Sequence, residues 1–464
     1  MVYLLNKNTL RLTAGALLAS SVLLANVPIT KANEAAPPIP DISAWSIPAL
    51  HEGEKYGIYP LEWYYDGFRK PITDEKYSAL IEATGQKLAG LGFAKTGTLE
   101  TGAASSKTIN RGQLVKALYN ALAQYDLPAE LKASSADAAQ YFQQIGVLKG
   151  SGKSLGLDQP ATVEQAAVLA SRLVEYAFAA ADKGAKGLMW KVTHGGNTLY
   201  LLGSIHIGSP AMYPMHPSVK EAFNSSDSLW LEANLQSDPA AMQYYMNKTT
   251  FNDNSTIKDH IAPETYQKLV DVSKQMGIPE GAYDSYKPWV VSNDLSLASL
   301  VESPDQLAQA ASSGIDLYFT TSAMMNEMPI KELEGIKFQA DLLSGVPAAD
   351  QEKELNKLLD LLLSPEAVKQ SAEQFKRMQQ LWTDGNLTDF SGIFSESSES
   401  TSSGLSSRLF GERDKNMAAK LDELLKQPGE STSFVVVGAG HFAQKGMVID
   451  LLKEKGYNVE FLGE

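Results

Sequence analysis

Six short apolar runs between residues 187 and 464 set the strongest limit on the fold of the chain: LMWKV (188–192), TLYLLG (198–203), SLWLEANL (228–235), PIKELEG (329–335), SFVVVG (433–438) and NVEFLG (458–463). Each has strand length and is bounded by turn residues. Between them lie helical stretches at 217–225, 263–276, 304–311, 315–327, 349–363, 366–382 and 413–426. Apolar strands alternating with helices predict an α/β layered domain over 187–464, built on a largely buried sheet.

Two of these runs end alike. Gly203 is followed three residues later by His206, and Gly438 by His441, in a chain of 464 residues with only six histidines. Ligands of α/β sheets bind beyond the carboxyl ends of the strands, which is where both histidines fall. Glu232 lies near the end of SLWLE and Glu334 ends IKELE. Gly203, Gly438 and Gly440 are expected to let the backbone turn sharply and bring each ring inward. Imidazoles with carboxylates suit Mn, Zn, Co or Fe and leave room for water. Such an ion lowers the pKa of bound water from 15.7 toward about 7.

A lone histidine after a strand is usually a hydrogen-bonded turn residue. The repetition favours a shared site, as does Glu232 inside LWLEANL, which is costly to bury without a partner. His51, His194, His216 and His260 read as surface or turn residues, and His51 lacks the second histidine of a helical zinc motif because Lys55 stands in its place. No Gly-x-Ser-x-Gly elbow occurs.

Residues 1–32 read as an export signal, with Lys7 and Arg11 ahead of LTAGALLASSVLLANV and small residues around Lys31. Residues 33–40 form a Pro-rich linker. The net charge of −14 becomes −17 without the signal, a balance that argues against nucleic acid and anionic membranes as partners. No later segment has the ~20 apolar residues of a transmembrane helix, so no membrane span is expected after signal removal. The absence of cysteine excludes disulfides, thiol nucleophiles and Cys-ligated zinc. The expected location is extracellular or cell-wall associated.

Residues 41–184 carry a weak repeat: amphipathic helices start on Thr73, Thr108 and Thr162, and ahead of the first and the last a helix ends in Gly and a loop follows. With Trp45, Gly57-Ile58 and Gly146-Val147-Leu148-Lys149-Gly150, this region resembles the S-layer homology (SLH) module. The resemblance implies a small all-α domain and makes cell-wall polysaccharide a candidate partner. Only Arg111, in the middle copy, matches the basic residue of the family's wall-binding motif. GVLKGSGKS (146–154) lacks the glycine spacing of a phosphate loop. Residues 391–407 hold nine serines and read as a mobile insertion.

The stretch from LMWKV through SLWLEANL, the block SSGIDLYFTTSAMMNEMPIKELEGIKFQADLL and the end from LFGERDKN to NVEFL together resemble the TraB/GumN family, to which the Tiki proteases of animals also belong. The resemblance covers nearly all of 187–464. It implies a metal-dependent hydrolase, with peptidase activity in some members and a peptide or small-molecule substrate. By position, His206, His441 and Glu232 match metal-site residues. Glu232, Glu334, Arg413 and Asn416 match candidate catalytic residues, with Glu232 or Glu334 as ligand or general base and Arg413 at a developing oxyanion. The family usually has that Arg and Asn adjacent; here Asp414 and Lys415 intervene.

Overall fold

The computed structural model describes residues 40–99, 108–129, 131–132, 137–150, 154–234, 239–301, 309–398 and 410–463. The expected signal (1–32), nearly all of the linker (33–40), part of the helix at 304–311 and residues 399–407 lie outside them. The chain divides into two compact units. Of the described residues, those between 40 and 185 and between 210 and 220 belong to the first, and those between 186 and 209 and between 221 and 463 to the second.

All six apolar runs of the second unit are strands: β1 (Leu188–His194), β2 (Gly196–Ser204), β3 (Ser228–Leu231), β4 (Ile330–Glu332), β5 (Glu430–Gly438) and β6 (Val459–Phe461). They form one mixed sheet in the order β4-β3-β5-β2-β1-β6. β4, β3, β5 and β2 run parallel, β1 is antiparallel to β2, and β6 is antiparallel to β1. Central β5 buries Phe434, Val435, Val436 and Val437 completely, because helices cover both faces of a parallel core and no residue of such a strand needs to be polar. β1 and β2 form a hairpin that pairs His194 with Asn197 across Gly195, whose φ of +59° is cheap only for glycine.

The helices Ile315–Met325, Ala348–Leu362, Pro365–Thr383 and Glu412–Lys426 fall where the periodicity places them. Others were not legible, among them Pro239–Thr249, Pro288–Ala298 and Ile336–Ser344. Pro288–Ala298 buries Trp289, Val290, Val291, Leu295 and Leu297, so it is apolar on too many sides to show a 3.6-residue stripe. Its Val291 and Leu295 share a core with Leu269, Val272, Leu355 and Leu359.

The expected mobile insertion at 391–407 needs correction over its first half. Residues 391–398 belong to the helix Leu387–Ser398, anchored by fully buried Phe390 and by the Ser391 hydroxyl, which donates to the Ala443 carbonyl at 2.8 Å.

In the first unit the helices are Ile47–Gly53, Asp74–Ala89, Arg111–Ala123, Ala138–Gln144 and Val163–Ala180. Thr73 and Thr162 are N-caps as expected, and Thr162 forms a capping box with Gln165. The middle helix is capped by Asn110, paired with Gln113, and not by Thr108. In the first turn of the helix Val163–Ala180, Glu164 accepts from the backbone N–H of Ser43 and the hydroxyls of Ser43 and Ser46 at 2.6–3.0 Å. Segment 210–220 is tied into this unit: Lys220 reaches Glu175 at 2.7 Å and Glu52 at 3.0 Å, and Ala185 N–H donates to the Pro214 carbonyl. His51 and His216 are buried, contrary to the surface reading, whereas His194 and His260 are exposed.

Candidate functional site

The parallel register decides which residues can meet. Ser204 pairs with Gly438, and Leu231 pairs with Val436 on one side and Glu332 on the other. The carboxyl ends of β2, β5, β3 and β4 therefore lie level along one edge. His206, His441, Glu232 and Glu334 each leave that edge within three residues of their strand.

The backbone around His206 is held on all sides. Trp382 Nε1 donates to the Gly203 carbonyl at 2.6 Å and Gln379 Nε2 to the Ile207 carbonyl at 3.0 Å. Ile315 N–H donates to the Ile205 carbonyl, and Gly208 N–H to the Ala310 carbonyl. A Cβ on Gly208 would sit 1.7 Å from the Ser313 carbonyl oxygen, so only glycine fits there. Gly203, Gly438 and Gly440, expected to supply sharp turns, have no positive φ. The role of Gly203 is close packing, since a Cβ there would lie 3.0 Å from Ala439 Cα. His441 stands in the short helix Ala439–Ala443, its ring centroid 5.0 Å from that of Phe410.

Each histidine is bonded at Nδ1 to an aspartate that sequence reasoning missed. His206 Nδ1 lies 2.6 Å from Asp316 Oδ2, and the Ser204 hydroxyl donates to Oδ1 of the same carboxylate at 2.9 Å. His441 Nδ1 lies 2.9 Å from Asp414 Oδ1, whose Oδ2 accepts from Gly411 N–H at 2.7 Å. His206 is 7% exposed and His441 1%. The Nε2 atom of each is buried and has no hydrogen-bond partner among the described residues. Burial by itself would depress the His206 pKa; the Asp316 carboxylate and its hydrogen bond, with Glu232 behind them, outweigh it and leave a net rise.

Beside the imidazoles lies a buried knot of Arg413, Glu232 and Glu334. Arg413 Nε donates to Glu334 Oε1 at 2.8 Å, and its Nη2 reaches Glu334 Oε2 at 2.7 Å and Glu232 Oε2 at 2.9 Å. Gln339 donates to both glutamates at 3.3 Å. Glu232 Oε1 accepts from Gly438 N–H at 2.7 Å, which locks β3 to the end of β5. The Glu232 carbonyl receives the N–H groups of Glu334 and Gly335, the latter at φ +91°.

Burial pushes both carboxyls up. At Glu232, Arg413, His441, His206 and the Gly438 N–H reverse this, so its pKa ends below the usual value. At Glu334, burial and the Glu232 charge prevail over Arg413, so its pKa ends above it. Arg413, expected at an oxyanion, is instead paired with both carboxylates. Asn416 is exposed on the helix Glu412–Lys426; the buried residue next to Arg413 is Asp414.

An imidazole clamped at Nδ1 with its Nε2 open is the kind of donor that divalent ions take. Glu232 has both oxygens engaged, one by Gly438 N–H and the other by Arg413 and Gln339. Among the described residues no group of three or more histidine, aspartate or glutamate side chains is arranged to hold a metal.

The TraB/PrgY/gumN family model matches residues 188–461, and the chain belongs to that family. Uncharacterized protein YbaP of Escherichia coli (strain K12) is 26% identical over 153 residues, 33% of this chain and 54% of its own. Metalloprotease TIKI1 of Danio rerio is 24% identical over 306 residues, 56% of this chain and 60% of its own. Metalloprotease TIKI2 of Xenopus tropicalis is 24% identical over 304 residues, 56% and 57% respectively. The chain thus spans little more than half the length of the curated relatives it matches. No solved structure matches it. The family match leaves the helical region before residue 188 outside it.

Proposed function

We propose that the chain is an exported, divalent-metal-dependent hydrolase that cleaves peptides, with His206 and His441 holding the ion through Nε2. The observation that carries this reading is the pair of buried, unpartnered Nε2 atoms, each on an imidazole whose Nδ1 is bonded to an aspartate. Metal-binding histidines commonly have such an outer carboxylate, and a buried lone pair is costly unless a donor or a cation meets it. Charge adds support. Four carboxyl groups, Glu232 and Glu334 on Arg413 and Asp316 and Asp414 on the two imidazoles, accompany one guanidinium, an excess that a divalent cation offsets. The peptide substrate class comes from the vertebrate relatives, both named metalloproteases.

A bound ion would supply Lewis acidity and a water whose pKa falls toward about 7. Of the two glutamates, Glu334 retains a proton more readily and is suited to pass one to a leaving amine. Glu232, held ionised by Arg413 and the Gly438 N–H, fixes the end of β3 and orients Arg413. Export and an extracellular or wall-associated location rest on the reading of residues 1–32. No helix among the described residues is long and apolar enough to cross a membrane. For the helical region we propose attachment to cell-wall polysaccharide, with Trp45, 51% exposed, as a contact. Cosedimentation with purified wall polymer, weakened in Trp45→Ala, tests that part.

The function is tested by offering a peptide library to the purified chain loaded with Mn, Co, Zn or Fe. Cleavage that depends on the ion and is lost in His206→Ala is the expected result. Cleavage that persists in chelator overturns it. One observation favours a second reading, a non-catalytic protein that holds a metal complex or peptide in the same cleft: the absence of a third acidic or histidine donor among the described residues. Metal binding without turnover of any library member would select that reading.

A further inference from the structure

We propose that Asp414 and Asp316 are positioning residues that set the tautomers of His441 and His206, fixing the proton on Nδ1 and leaving the Nε2 lone pair free. The inference rests on the proposed metal site only for its consequence, since the tautomer itself is a property of the metal-free chain.

The two aspartates come from different elements yet are built alike. Asp316 lies in the first turn of the helix Ile315–Met325, and Asp414 in the first turn of Glu412–Lys426. An ionised carboxylate only accepts, so the imidazole nitrogen facing it must be the one that donates. Each aspartate has its second oxygen occupied as well, Asp316 Oδ1 by the Ser204 hydroxyl and Asp414 Oδ2 by Gly411 N–H. Neither carboxylate is free to rotate away. With Nδ1 protonated on both rings, Nε2 on both rings is a bare acceptor, which accounts for two buried nitrogens that find no donor.

The second contacts make the two positions unequal under an isosteric change. In Asp414→Asn the backbone N–H of Gly411 can only donate, so the amide oxygen must face it. The amide NH₂ then points at His441 Nδ1, which must become an acceptor, and the ring proton moves to Nε2. A reversed tautomer is the known consequence of such a change at an imidazole partner. In Asp316→Asn the second contact is a hydroxyl, which can donate or accept. The amide can therefore keep its oxygen toward His206 and preserve the Nδ1–H tautomer while Ser204 turns its proton elsewhere. Asp414→Asn should invert its histidine; Asp316→Asn should invert it partly or not at all.

The experiment is imidazole ¹⁵N NMR on the full chain without metal, with the pH raised until neither ring is doubly protonated, because the Asp316 carboxylate lifts the His206 pKa above the ordinary value. His206→Ala and His441→Ala spectra assign the two rings. In the unsubstituted chain both rings are expected to show pyrrole-type Nδ1 and pyridine-type Nε2. In Asp414→Asn the two types exchange at His441 and stay in place at His206. Zinc titration of the same samples should show an affinity loss of about 10–100-fold or more for Asp414→Asn, and a smaller one for Asp316→Asn. Nε2–H on either ring in the unsubstituted chain overturns the proposal, and that measurement needs no variant to fold. So does an Asp414→Asn chain that folds and keeps Nδ1–H at His441. Exchange of the two types without zinc binding in any sample supports the positioning role and overturns the metal reading of the site.

Discussion

Replacing Arg413 by methionine probes the buried knot directly. The guanidinium lies between Glu232 and Glu334 with three contacts of 2.7–2.9 Å, and all three side chains are no more than 4% exposed. Methionine fills most of the volume but leaves two carboxylates facing each other without a cation. Removing one partner of a buried ion pair costs roughly 3–5 kcal/mol, mostly because the stranded charge cannot return to water. At about 2–4 °C per kcal/mol for a domain of this size, the calorimetric transition of the sheet-containing unit should fall by roughly 10 °C. Arg413→Met combined with Glu334→Gln removes one of the two stranded charges. The remaining carboxylate of Glu232 keeps its Gly438 N–H and Gln339 contacts, so the double variant should recover at least half of the loss. A single variant that melts within about 2 °C of the parent, or a double variant that melts lower still, would refute the stranded-charge argument.

Asp294 gives a pH dependence of defined sign. Burial pushes its carboxyl up to about 6, with the Tyr283 hydroxyl opposing. The folded chain thus holds this proton more tightly than the unfolded one, so the stabilisation is complete below about pH 3.8 and is lost as pH rises through about 6, up to about 3 kcal/mol in all; thermal melts of Asp294→Asn should lack that decline. Gly208→Ala should lower the melting temperature sharply, because its Cβ would lie 1.7 Å from the Ser313 carbonyl oxygen; an unchanged melt shows that the loop after His206 can shift freely. A fragment of residues 187–464 would carry segment 210–220 without the unit that buries its Met212, Tyr213, Met215 and Val219. It should aggregate on size-exclusion chromatography, and a monodisperse fragment with cooperative melting shows that the segment finds adequate packing without residues 40–185.

The sequence made the sheet legible because buried parallel strands are written as unbroken apolar runs. Phe434 to Val437 can be nothing else in a chain with turn residues on either side. It also located His206, His441, Glu232 and Glu334 at strand ends, where the level register brings them to one edge. What it could not show was pairing. Asp316 lies 110 residues from His206 and, in GIDLYF, reads as an ordinary acidic residue at a helix start, since a first-turn carboxylate is favourable on the surface too. Asp414 sits in LFGERDKN, where a charged run looks like a solvated face, yet Arg413 and Asp414 are buried and Asn416 is exposed. The available signal was local: Gly314 and Gly411 each precede a helix whose first turn carries the aspartate. The serine-rich stretch misled because Phe390, just ahead of it, and Ser391, its first residue, anchor a helix that runs into it.

Metal analysis of the intact chain tests the central claim most directly. After incubation with Mn, Co, Zn or Fe and removal of excess ion, the folded chain should retain one equivalent of at least one of them. His206→Ala and His441→Ala should each lose that equivalent while keeping the parent's far-ultraviolet circular dichroism. A folded chain that retains none of the four ions, or one whose bound ion survives both substitutions, would contradict the assignment of the two Nε2 atoms to a shared metal.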